Sequence, residues 1–490
     1  MLEGFAMLVI VSDLHLNDGT AGALLDAGAA ELFTDRVCEL AYRACWRADG
    51  SYQPIQRLDL VLLGDVLDIV RSQRWLSSDV RPWSDLHSPA GVEMVSGIVG
   101  EILRKNVEII RQIRALATEG LVTVPLAGSD GKPLSHHDEM PVAVRTHYMV
   151  GNHDWPLHLP GASYDLLRHK VAHHLGLASP HNKPFPHEAA ESEELADALR
   201  RHRVLARHGD IFDPLAFADD RDASSIGDAL AVELLARFLQ RIESELAGDL
   251  TPAAMAALRE IDQIRPTLLA APWIECTLER HVPQLAIRNI IKRLWDNLVD
   301  DLLELEIIRQ RSRWTPADVI DGLAGALMFS KRDSSHWMQR TLRWQETLRG
   351  ASSQSYVAHA LAEADLRNRR ARHIVYGHTH HHEAIPLDAS HADGYVLNQS
   401  YVNAGTWRRT YSPTQVAAAT QEFVASETFS LLAFYQADER SGRSYETCSG
   451  MLAPKSAYVS APPAPLVAET NLGSQLRAPH FGRQGVRSRM

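Results

Sequence analysis

Five short segments of this chain set carboxylates and imidazoles at spacings that suit metal ligation. They are Asp13-x-His15, Gly64-Asp65-x-x-Asp68, Gly151-Asn152-His153-Asp154, His208-Gly209-Asp210 and Gly377-His378-Thr379-His380. Carboxylate, imidazole and carboxamide donors without a thiolate suit Mn²⁺, Fe or Zn²⁺. Pooled, they are enough for two ions rather than one. Two ions roughly 3.5–4 Å apart can orient a phosphoryl group and generate a hydroxide between them. Asp65 is well placed to bridge them, because it follows an apolar run and a glycine that lets the backbone turn tightly. Singly, each piece has an ordinary reading: D-x-H as capping chemistry, G-N-H-D as a turn, His380-His381-His382 as a solvated patch. Five such pieces in order make those readings a small minority. Asp68 stands evenly between a supporting role and a helix cap. Asp210 and Asp213 read as supporting or turn residues.

Something must bring these pieces together, and the apolar runs before them say what. Leu8 to Val11, Leu58 to Leu63, Val142 to Val150, Val204 to Ala206 and Ile374 to Tyr376 each end at one of the polar segments. Runs of β-prone residues bounded by turn residues read as buried strands. The carboxyl ends of such strands are where α/β sheets hold their sites. Tyr395 to Val402 and Phe429 to Tyr435 read as further strands. The turn Asn403-Ala404-Gly405-Thr406 follows the first of these, with its role open.

Helical spacing fills the intervals. Val95, Ile98, Val99, Ile102, Ile109, Ile113 and Leu116 predict one long amphipathic helix over Glu93 to Leu116. From about Ala216 to Arg372 there is almost no strand signal. Thr251-Pro252 and Thr315-Pro316 are N-cap and N1 pairs that open helices. Ile287, Ile290, Ile291, Leu294, Leu298 and Leu302 make one apolar face. The expected organisation is an α/β core over 1–215 and 372–449, interrupted by an all-helical insertion over 216–371, with a disordered tail over 450–490. Ala127 to Pro141 reads as a polar surface loop. His136-His137, His173-His174 and the basic run Arg367 to Arg372 read as solvated.

The ordered set D-x-H, G-D-x-x-D, G-N-H-D, H-G-D and G-H-T-H resembles the calcineurin-like metallophosphoesterase superfamily, over roughly 7–215 and 372–440. The resemblance implies a four-layered α/β/β/α sandwich with a dinuclear site of two divalent ions, Mn²⁺ foremost and Fe or Zn²⁺ as alternatives. It implies that one ion takes Asp13, His15, Asp65 and His380, and the other Asp65, Asn152, His208 and His378. It also implies that His153 contacts the phosphate and protonates the leaving oxygen while Asp154 orients it. The reaction expected is hydrolysis of a phosphomonoester, phosphodiester or pyrophosphate by attack of a metal-bridging hydroxide. An imidazolium at His153 is expected, favoured by Asp154 and a bound phosphate.

The helical insertion is the clue to substrate, since it would overhang the ions. Bacterial hydrolases of UDP-diacylglucosamine look similar there, but they typically carry Arg where this chain has His153. A lipid-linked pyrophosphate is therefore the secondary reading. A DNA-repair type of nuclease is disfavoured by composition: Lys+Arg is 50 against Asp+Glu 61, a net charge of −11. A metal-binding scaffold without activity is least expected, because each ligand position is filled. Four cysteines without C-x-x-C spacing fit a reducing compartment. No apolar run approaches the roughly 18 residues of a membrane span. The start of the chain reads as a strand, so the expected location is the cytoplasm.

Overall fold

Ala6–Val11 (β1) is buried along its whole length, as a central strand must be. Its side chains alternate: Met7, Val9 and Val11 join one apolar cluster, and Leu8 and Ile10 join another. β1 pairs in parallel with Arg57–Leu63 (β2), which pairs in parallel with Ala143–Met149 (β5). On its other side β1 meets Phe423–Phe434 (β11) antiparallel, and β11 also carries Arg409–Pro413 (β10) and Tyr445–Met451 (β12). The second sheet runs Val204–Ala206 (β6), His373–Tyr376 (β7), Tyr395–Ala404 (β9), His382–Ala392 (β8). The computed structural model describes residues 5–135, 138–178, 182–217, 220–311, 327, 352–392, 395–414 and 422–451, which lie in one compact unit.

The protein is thus mixed α/β, with its two large sheets joined through one apolar cluster. Leu8, Ile10, Val61, Leu63 and Met149 meet Val204, Ala206, Val375, Val402 and Ala404 there. The other face of the first sheet is covered by Ala27–Ala44 (α1), Pro89–Lys105 (α2), Val107–Thr118 (α3) and Ala162–Leu175 (α4). On the second sheet Ile374, Tyr376 and Tyr401 pack with Tyr356, Ala360 and Leu366.

Three expectations change. The helix predicted over Glu93 to Leu116 is two helices, broken at Asn106 (φ −108°, ψ 25°). The Asn106 side chain donates to Asn17 O at 2.7 Å and Ile102 O at 2.8 Å, a competition with the helix ladder that asparagine commonly makes. The polar loop after Ala127 is flanked by a small hairpin, Thr123–Pro125 (β3) with Glu139–Pro141 (β4). Strands β8, β10 and β12 escape the sequence reading because they alternate polar residues with few apolar ones.

The described part of the insertion is helical. Ile226–Ala229, Leu230–Ala236 and Arg237–Glu245 follow one another without a break, the middle segment wound as a π-helix. Ala231 and Val232 from this π segment enter the main core, whereas Leu230, Leu234 and Leu235 enter the insertion's own cluster. Thr251 caps Pro252–Leu258 through Ala254 N, as predicted. Of the predicted apolar face, Ile291, Leu294, Leu298 and Leu302 are buried, while Ile290 is 40% exposed. Thr315-Pro316, His136-His137 and the tail from residue 452 lie outside the described residues. Among the described residues no helix is long and apolar enough to cross a membrane.

Candidate metal centre

All nine residues singled out as metal ligands or catalytic groups converge at the carboxyl ends of β1, β2, β5, β6 and β7. The backbone is bent hard to achieve this. Asp13, His15, Asp65, His378 and His380 have φ of 56°, 45°, 51°, 68° and 62°. A positive φ at a residue with a side chain costs about 1–3 kcal/mol and persists only where the surroundings impose it. Two glycines make room. A Cβ on Gly64 would lie 2.5 Å from His208 Nδ1, and one on Gly151 would run into Asp65 Oδ1 and the His208 ring.

The donors sort into two groups that share Asp65. In the first, Asp13 Oδ1 lies 3.6 Å from His15 Nε2 and 3.3 Å from His380 Nε2, and the two imidazole nitrogens are 2.9 Å apart. Asp13 Oδ1 is buried without a hydrogen-bond donor. The other oxygen, Oδ2, accepts from His378 N at 3.0 Å. In the second group, His208 Nε2 lies 3.3 Å from both Asp65 Oδ2 and Asn152 Oδ1. His378 Nδ1 lies 2.9 Å from the same Asn152 oxygen. Asp65 Oδ2 is 3.7 Å from His15 Nε2, so this one oxygen faces both groups.

These residues fit cations. His208 Nδ1 sits 3.0 Å from Leu63 O, which fixes its proton there and turns the Nε2 lone pair towards two oxygens that are acceptors. Without a cation only a proton relieves that contact. Burial would push His208 down, yet the Asp65 and Asp13 carboxylates hold it up at about 10. Asp13 is held well below the usual carboxylate range despite its burial, through the charge of His208 and the contacts of His15 and His380. The orphaned Asp13 oxygen and a donor set of N and O atoms are what a hard or borderline divalent ion takes.

The supporting contacts separate residues the sequence left together. Asp68 lies 2.9 Å from His153 Nδ1 and orients that ring, and its other oxygen stands 3.4 Å from His15 Nδ1. Asp213 lies 3.1 Å from His378 Nε2. Asp210 pairs with Arg221 at 2.9 Å and stands aside from the ligands. The turn after β9 braces two ligand loops: Asn403 donates to Gly377 O at 2.9 Å, and Thr406 to Asp13 O at 2.7 Å.

Asp154 does not orient His153. Its carboxylate turns inward and accepts from Gly151 N, Val66 N and the Tyr148 hydroxyl, which locks the loop carrying Asn152 and His153. Asp68 takes the orienting role instead. The imidazolium expected at His153 is also disfavoured in this state. Burial, then the Arg71 guanidinium 3.3 Å from Nε2, push His153 down to about 4.

Two arginines beside the centre were missed. Arg71 stands three residues after Asp68, so the only sequence signal was its proximity to a motif. Arg265 comes from the insertion, where nothing marked it; it lies 3.3 Å from His380 Nε2 and is buried. Both line a cavity of about 330 Å³ that opens from Asp65, Asn152, His153, His378 and His380. Its lining also includes apolar residues: Pro214, Leu215, Leu230, Leu235 and Leu268, with Phe212 and Tyr356. No protein-family model and no curated protein matches this chain.

Proposed function

We propose that this chain is a metal-dependent phosphoesterase of the calcineurin-like type, hydrolysing a phosphomonoester, phosphodiester or pyrophosphate. The single observation that carries the reading is Asp65 Oδ2, one buried carboxylate oxygen facing two separate groups of ligands. The order of layers (helices, sheet, sheet, helices) that the apolar clusters describe supports the four-layered sandwich.

Asp13, His15, Asp65 and His380 would hold one divalent ion, and Asp65, Asn152, His208 and His378 the other, with Mn²⁺ foremost and Fe or Zn²⁺ as alternatives. Two such ions supply positive charge for the phosphoryl oxygens and lower the pKa of water. Arg71 and Arg265, which line the cavity, grip and orient the phosphate. Asp68 keeps the His153 Nδ1 proton in place, which aims Nε2 at the cavity. The anionic phosphate then draws a proton onto Nε2, and His153 passes it to the leaving oxygen. The apolar lining excludes water from the substrate.

That lining favours a second reading within the same chemistry. A cavity lined by both charged residues and leucines suits a phosphate linked to an apolar group, such as a lipid-linked pyrophosphate. A screen of the Mn²⁺-loaded protein against monoesters, diesters, nucleotide pyrophosphates and a nucleotide-linked glycolipid tests both. Turnover of none, with metal bound, overturns the proposal; turnover confined to the glycolipid selects the second reading.

A further inference from the structure

A second group of metal-type ligands lies apart from the centre and shares no residue with it. His158 ends the short turn Trp155–His158, His187 precedes the turn Ala189–Glu191, and Asp222 stands just before the first helix of the insertion. His158 Nδ1 is 2.5 Å from Asp222 Oδ1, and His158 Nε2 is 3.1 Å from Glu191 Oε2. His187 Nε2 points to the same Asp222 oxygen from 3.8 Å, beyond hydrogen-bond reach. The two imidazole rings are 4.3 Å apart.

His187 is the informative member. It is 2% exposed, and neither ring nitrogen has a hydrogen-bond partner. A buried imidazole is normally served at one nitrogen at least, because leaving a polar group unpaired costs what its desolvation costs. An ion pair of protonated His158 with Asp222 and Glu191 would account for three of the four residues and leave His187 unexplained. A cation held by His158 Nδ1, His187 and Asp222 accounts for His187 as well, and leaves Glu191 to accept from His158 Nε2. The nearby Arg221 does not oppose it, since its charge is spent on Asp210 at 2.9 Å and Glu188 at 3.3 Å.

We infer that His158, His187 and Asp222 form a separate structural site for a transition-metal cation of the Zn²⁺ class, with Glu191 holding the other nitrogen of His158. Two imidazoles and a carboxylate, completed by a water, are a donor set that Zn²⁺ takes tetrahedrally. The ion ties three segments: the turn that follows the Asn152-His153 loop, the segment before β6, and the root of the helical insertion. It therefore fixes where the insertion leaves the core, close to the wall of the cavity. Asp222 is 41% exposed, which gives the ion a way in.

The test compares the full-length protein with its Asp222→Ala and His187→Ala variants, each equilibrated with Zn²⁺, freed of unbound metal and measured for zinc per chain. The expected result is one ion fewer per chain in either variant than in the parent, whatever number the core centre holds. Zn²⁺ should also raise the thermal midpoint of the parent more than that of Asp222→Ala. The exposed position of Asp222 keeps the comparison decisive if His187→Ala does not fold. Equal zinc content in the parent and Asp222→Ala overturns the site. It would assign the His187 nitrogens to a water in the adjoining cavity of about 10 Å³.

Discussion

His15 Nε2 and His380 Nε2 lie 2.9 Å apart, from opposite ends of the chain, and both face Asp13 Oδ1. At that distance one of the two nitrogens carries a proton, or a cation held by both takes the proton's place. The same demand recurs at His208, whose Nε2 faces two acceptor oxygens. In the metal-free protein a proton meets it, because Asp65 and Asp13 overcome burial and hold His208 up at about 10.

Metal binding should therefore release protons. At pH 8 the metal-free His208 carries one, and a bound ion takes its place. Affinity should fall as pH falls, by about tenfold per pH unit for each proton displaced. Calorimetry of Mn²⁺ binding in two buffers of different ionisation enthalpy measures the release. About one proton or more per chain is expected, and none would take His208 out of the ligand set.

Asp65→Ala should abolish binding of both ions and lose all measurable hydrolysis, since one oxygen serves both groups. Asp213→Ala should be milder. It frees His378 Nε2 from its 3.1 Å partner and should weaken metal binding by about 10- to 100-fold, the usual cost of an outer partner. Normal turnover of Asp65→Ala with both ions present would dismiss the shared centre.

Arg265 tests whether the insertion takes part in the chemistry. Arg265→Ala should lower kcat/KM by about 10²–10³, the usual cost of one preorganised charge at a reacting anion, with metal content unchanged. Arg265→Lys should not rescue it, because a lysine cannot reproduce the planar fork. Metal content should be measured in the same samples. An Arg265→Ala enzyme as active as the parent would reduce the insertion to a wall.

The residues that meet at the candidate centre were legible in the sequence because each follows a buried strand. The strand's apolar run and the polar residues after it are local signals, and β1, β2, β5, β6 and β7 all start or end within two residues of the predicted runs. Pairings between distant segments were not local and so were not legible. Asp154 sits beside His153 in the chain but turns to Tyr148 and Val66, while Asp68, 85 positions away, meets the His153 ring. Arg265 had no motif around it, and its role depends on how the insertion folds back. Asn106 looked like a polar position within a helix; its side chain reaches Asn17 and ends that helix.

Stability should depend on His373, away from the centre. It is buried against Phe434 and Tyr445 with Ser400 Oγ at 2.8 Å. Burial, then the charges of Arg372 and Arg203, push it down from 6.5 to about 3. The folded protein keeps this ring neutral where the unfolded chain takes up a proton. Its contribution is thus complete above pH 6.5 and is lost as pH falls towards 3, at about 1.4 kcal/mol per pH unit. Between pH 7 and pH 5 the parent should lose about 2 kcal/mol more than His373→Gln, read from urea midpoints. Parallel pH profiles for the two proteins would exclude His373 as a source of acid sensitivity.

His153 can be separated from the metal ligands by its leaving-group dependence. Its ring is fixed by Asp68 on Nδ1, and Nε2 faces Arg71 and lies 4.0 Å from Asp65. As a proton donor it must gain a proton that burial and Arg71 resist, so the bound phosphate has to supply the favourable charge. His153→Ala should then keep both ions and lose about 10²–10⁴ in rate on substrates with poor leaving groups, the span of acid catalysis. The loss should shrink on a nitrophenyl phosphodiester, whose leaving oxygen needs no proton. Asp68→Asn should show the same pattern in weaker form, because it leaves the imidazole present but less well aimed. The comparison is internal, with one variant, two leaving groups and metal measured in the same sample. An equal loss on both substrates would make His153 a phosphate clamp, and loss of an ion would make it a ligand. In either case the acid step would pass to solvent, and Arg71, 3.3 Å from the same nitrogen, would remain the group that meets the phosphate.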